Sequence, residues 1–212
     1  MGRISKGILG GFSGTVGTVI GGSWKGIDYM RSQPARRTGN FSQAQLEQQA
    51  KFALMISFLR CMMGLLMVSF RNYAIKMTGY NNAVSYNLKN AITGSYPTYS
   101  ISYADVLVSR GDLPNVLAPT ATAAAAGGIK YDWTDNTGVG KAKATDKAIL
   151  VVYCAAHNMA IFTTGSALRS AATETINASS FSGEQVHTYI GFISEDGKDI
   201  ASSIYTGAVT VS

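Results

Sequence analysis

Cysteine and histidine are nearly missing from this chain: two of each in 212 residues. Cys61 and Cys154 lie far apart and neither belongs to a CxxC pair, so neither zinc-type ligand spacing nor a disulfide framework is available. Each reads as a buried thiol in a reducing compartment. His157 falls in an expected turn and His187 in an expected strand, and both read as ordinary surface or edge histidines. Acids are also scarce at the front. Residues 1–118 carry twelve Lys/Arg against four Asp/Glu, and the balance reverses slightly afterwards. The acids that cluster later, at Glu195, Asp196 and Asp199, lack EF-hand spacing and read as a solvated turn. No metal, no cofactor and no catalytic residue is expected, and the chain reads as a non-enzyme.

Glycine is what the front of the chain has in excess. Residues 10–26 read GGFSGTVGTVIGGSWKG, with seven glycines in seventeen residues. A Walker A loop requires GxxxxGK[ST], and Gly22-Ser23-Trp24-Lys25 does not supply it. No strand is expected before this stretch, so a dinucleotide fingerprint does not fit either. Thr15 stands where a nucleophile elbow around Ser13 would need glycine. Glycines also interrupt any apolar signal-peptide core, and no A-x-A site follows, so no cleaved signal is read and the expected location is the cytoplasm or a virion. The remaining reading is close backbone approach. Gly11, Gly14 and Gly17 recur every third residue, in an extended arm laid along a neighbouring molecule and anchored by Trp24.

A basic linker follows, with Arg31, Arg36 and Arg37 around Pro34. Ser42 and Gln45 then make a capping box, with Phe41 and Leu46 as a hydrophobic staple. The pattern predicts one long helix from Gln43 to near Met77, stopped by Gly79. From Phe52 to Phe70 the run is apolar almost all round. Arg60 in its middle disfavours a membrane span. Met55, Met62, Met63 and Met67 suit an adaptable surface between subunits. A short helix is expected over 77–92, and alternation at Tyr99, Ile101 and Tyr103 predicts a strand. The segment PNVLAPTATAAAAGG reads as a linker, with a boundary near Pro119. Beyond it, strands are expected at 129–135, 147–155, 159–164 and 184–194, with a hairpin signal at Glu195–Lys198. The organisation expected is therefore α+β: an arm and linker over 1–40, a helical region over 41–118, and a β-sandwich over 119–212.

The last of these resembles a fibronectin type III or immunoglobulin-like module, with Trp133, Tyr153 and Tyr189 as its strand aromatics. The whole chain is also similar to an uncharacterised bacterial family. The shared features are a GFSGxVGxVxG stretch leading into Trp-Lys-Gly (Gly11 to Gly26), an AQLxQQAKFA-like helix start (Ala44 to Ala53), and a YNxAxSYNLKNAI-like segment (Tyr80 to Ile92). A TDN-rich β-half completes the match. That resemblance implies no activity. Two functions are expected from the residues themselves. One is a structural subunit, of a phage virion or bacterial surface assembly, that binds copies of itself through the arm and the apolar helix. The other is nucleic-acid binding, with phosphates held by Arg31, Arg36, Arg37, Lys51 and Lys76.

Overall fold

The computed structural model describes residues 2–4, 10–24, 26–35 and 40–212. The chain divides into two compact units, residues 1–42 and 43–212. It is a mixed α+β protein with three α-helices and several antiparallel sheets among the described residues.

The first unit is a sheet, which corrects the extended arm. Strands β1 (Arg3–Ile4), β2 (Phe12–Val16), β3 (Val19–Trp24) and β4 (Ile27–Ser32) pair in chain order, each antiparallel to the next. Gly17 explains one tight reversal. It sits at φ +57° in the two-residue loop between Val16 and Val19, where a type II′ hairpin turn takes glycine.

In the second unit the expected long helix is broken. Helix α1 (Gln43–Arg60) and helix α2 (Met63–Ser69) meet at a 92° bend. Neither glycine nor proline stands at the bend. The Cys61 thiol donates to the Phe58 carbonyl at 3.0 Å, occupying one of the acceptors freed where the helix stops. Turning there lets Phe58, Leu59, Met62, Leu65, Leu66 and Phe70 share one core, which a straight rod could not do. No single described helix is long and apolar enough to cross a membrane. Gly79 does not stop a helix but opens α3 (Gly79–Asn90), with the Thr78 hydroxyl accepting from the Asn81 N–H at 3.2 Å. A Cβ on Gly79 would stand 2.6 Å from the Met67 carbonyl oxygen, so glycine sets how closely α2 and α3 cross.

A hairpin follows, β5 (Ile92–Ser95) with β6 (Thr98–Ile101). The expected linker is instead a strand, β7 (Leu117–Ala124), so the boundary expected near Pro119 falls inside a paired element. Two further sheets are built from β7, β8 (Gly128–Thr134), β9 (Lys147–Cys154), β10 (Met159–Leu168), β11 (Thr173–Asn177), β12 (Gln185–Ile193) and β13 (Ile204–Thr210). One has the order β11-β8-β7 and the other β10-β9-β12-β13.

Two cores meet at β9. On one side Leu150, Val152, Ile190 and Phe192 pack with Ile129, Tyr131, Trp133 and Ile176 of the three-stranded sheet. On the other side Ile149, Val151, Tyr153 and Tyr189 pack with the helices. A strand buried on both faces needs no polar alternation, and KAILVVYC shows none.

Candidate assembly surface

Gly11, Gly21 and Gly22 make room for side chains or main chain of their own sheet, where the expectation was room for another molecule. A Cβ on Gly21 would strike the Phe12 carbonyl oxygen, with the Phe12 ring 2.7 Å away. On the opposite face a Cβ on Gly22 would stand 3.0 Å from the Tyr29 hydroxyl. An aromatic ring thus lies over a bare backbone on each side of β3, replacing the contact that a glycine cannot make. Gly11 leaves space for Asp28, and Gly14 pairs with Gly21 across the hairpin.

What the first unit presents outward is side chains. Register places Val16, Val19 and Met30 on the face of Gly21, and Ile20, Trp24, Ile27 and Tyr29 on the other. Of these, all but Ile20 are exposed, Met30 by 72%. Among the described residues of 1–42, Gly21 is the only buried one. Both faces of one small sheet therefore carry exposed apolar side chains, beside Asp28 and Ser32 on the first and Arg31 on the second.

The expected methionine surface divides. Met55 and Met62 are fully buried in the core beneath the helices, so they are packing residues of their own chain. Met63 and Met67, four apart on α2, face outward with Val68. Helical spacing separates the two sets once the break at Arg60 is known, and the all-round apolar run hides it in the sequence. Between α1 and α3, Phe52, Ile56, Val84 and Leu88 line a groove of about 410 Å³.

The described phosphate candidates are carried by different segments of the chain. Arg31 is exposed on β4. Lys51 on α1 lies over the Tyr99 ring, 4.9 Å from its centroid. Lys76 occupies a left-handed position, φ +57°, ahead of α3. Arg36 and Arg37 lie outside the described residues.

Two polar clusters in the second unit were not anticipated. Arg169 is fully buried. Its Nε donates to Asp146 Oδ2 at 3.1 Å, its Nη1 to Asn136 Oδ1 at 2.6 Å and its Nη2 to the Pro114 carbonyl at 2.9 Å. The guanidinium also lies 4.5 Å from the Phe192 ring centroid. This node ties three segments distant in sequence, and a lone arginine in GSALRSAA gives no sign of it. The second cluster surrounds His187, which is not the plain edge histidine expected. Its ring stacks on Tyr103 at 3.6 Å between centroids, and its Nδ1 is 2.9 Å from the Tyr205 hydroxyl. Burial lowers its pKa below the ordinary histidine value. Burial also pushes the Cys61 thiol up to about 11, so it stays protonated at neutral pH. Among the described residues no group of three or more His, Cys, Asp and Glu side chains could hold a metal ion.

A family model covers most of this architecture, from the second glycine of the front sheet to β13. The chain belongs to DUF6266, a family of unknown function, matched over residues 11–207. No curated protein matches it. The DUF6266 match thus includes strands β2 to β4 of the glycine-rich sheet and most of the two-core unit, with β1 outside it.

Proposed function

We propose that this DUF6266 protein is a non-enzymatic structural subunit that assembles with copies of itself through its N-terminal sheet. The observation that carries the reading is that no described side chain of that sheet is buried. Units of about 40 residues generally need a disulfide, a metal or association to stay folded. Residues 1–42 contain no cysteine and no histidine, and Asp28 is their sole acid. Association is what remains, and a second copy offers a sheet of the same chemistry. Because both faces carry exposed apolar side chains, one sheet can meet two neighbours, which suits a ring or a filament better than an isolated dimer. A virion or bacterial surface assembly is the setting that such a subunit fits.

The displayed part would then be the second unit. Seven of its nine described strands, three in one sheet and four in the other, support a fibronectin type III-like reading. The chain pairs β7 with β8, crosses to pair β9 with β10, returns to set β11 beside β8, and crosses again to set β12 beside β9 with β13 outside it, an order that suits a Greek-key sandwich.

The test is light scattering coupled to size-exclusion chromatography, with electron microscopy of the same fractions. The full chain is expected as a regular assembly of many copies. The chain lacking residues 1–42 is expected as a folded monomer. A full chain that elutes as a clean monomer at high micromolar concentration overturns the proposal.

A further inference from the structure

We infer that the cleft between α3 and the segment at Arg110 binds a phosphate group of a small molecule. Arg110 is held in an uncommon way. Its guanidinium carbon lies 4.5 Å from the Tyr73 ring centroid and 4.8 Å from that of Tyr86, so two aromatic rings restrain one cation. Its backbone N–H is fixed to the Ser69 carbonyl at 3.1 Å. None of the ion pairs among the described residues includes Arg110 or Lys89. Asp112, two residues on, accepts the Tyr73 hydroxyl at 2.6 Å.

Arg110 and Lys89 both line a cleft of about 210 Å³ whose other lining residues are Met77, just ahead of α3, and Asn82, Ser85, Tyr86 and Asn90 on α3. Ser85 and Lys89 are four apart on that helix and so project on one side of it. Asn82 and Asn90 also line the cleft, but their amides are engaged with the Tyr73 and Tyr86 carbonyls. These bonds stiffen the walls and leave Arg110, Lys89 and the Ser85 hydroxyl as donors. An arginine fork beside a lysine and a hydroxyl matches a phosphate's several oxygens. The ring clamp lowers the entropy lost when the arginine is immobilised by a ligand. The cleft's size suits one phosphate group of a small molecule.

The test is calorimetric titration of the full chain with inorganic phosphate and with glycerol phosphate, at constant ionic strength set with sodium chloride. Saturable binding of both is expected. Arg110→Gln should weaken it at least tenfold, and the exposed Lys89→Gln should weaken it several-fold without perturbing the fold. Lys130→Gln, on β8 of the three-stranded sheet, should leave it unchanged. Should Arg110→Gln fail to fold, Lys89→Gln with Ser85→Ala decides the matter alone. Phosphate that binds no better than chloride, or equally well to the Lys89 variants, overturns the inference. A thymidine oligonucleotide that binds while phosphate and glycerol phosphate do not would overturn it as well.

Discussion

Strand β9 buries seven of its eight residues, whereas all six residues of β4 are exposed. Both belong to four-stranded antiparallel sheets, so pairing does not explain the difference. Strand β9 has a second sheet on one face and helices on the other. Strand β4 belongs to a sheet whose faces are occupied only in part, by aromatic rings lying on glycines. Main-chain hydrogen bonds give a sheet its form, but apolar burial supplies most of its stability. The second unit holds its own stability within its two cores. The first leaves its apolar residues available to something else, and glycine is dense where burial is least.

The sharpest way to break the contrast from the side of the second unit is Arg169→Ala. It strands the buried Asp146 carboxylate, whose Oδ1 already has no hydrogen-bond partner. Removing one member of a buried pair costs about 3–5 kcal/mol. Urea unfolding of residues 43–212 is expected to show that loss, and a change under 1 kcal/mol would mean the node is dispensable.

From the other side, Gly21→Val places branched carbon against the Phe12 carbonyl oxygen and ring. Main chain cannot move aside cheaply, so the front sheet should be lost and assembly with it. The thermal transition of the second unit should stay where it was. Assembly by this variant at wild-type levels would separate the sheet from the assembly.

The smallest expected effect is a pH dependence confined to the second unit. His187 has a folded-state pKa below its unfolded value near 6.5, because burial disfavours the cation. The unfolded chain therefore binds the proton more readily. Stability is complete above about pH 6.5 and falls as pH drops from there toward the folded value, with a slope below one proton, about 1.4 kcal/mol per pH unit. His187→Gln should flatten that slope between pH 6.5 and 5, leaving the acid transition of the carboxylates. An unchanged slope would show that the histidine stack does not carry it.

Much of the second unit was legible in the chain. Strands β8, β9, β10 and β12 lie where alternation or continuous apolar character placed them, because burial of side chains is written directly into residue type. Strand β7 was not legible. Its alanines and Pro119 carry the composition of a linker, and pairing with β8 is what makes them a strand. Apolar character at Trp24, Met63 and Met67 was visible, but the same composition covers Met55 and Met62, which the fold buries.

Composition and local pattern alone established that the chain is mixed α+β, that its front is rich in glycine and poor in acids, and that its two cysteines form no CxxC pair. These depend on residue type and near neighbours. Only the tertiary structure decided that the glycines accommodate their own chain's Phe12, Tyr29 and Asp28, that the helix turns through 92° at Arg60, and that Arg169 and Arg110 end in such different surroundings. Each of those depends on atoms brought together from distant parts of the chain, and a linear pattern holds no record of such distances.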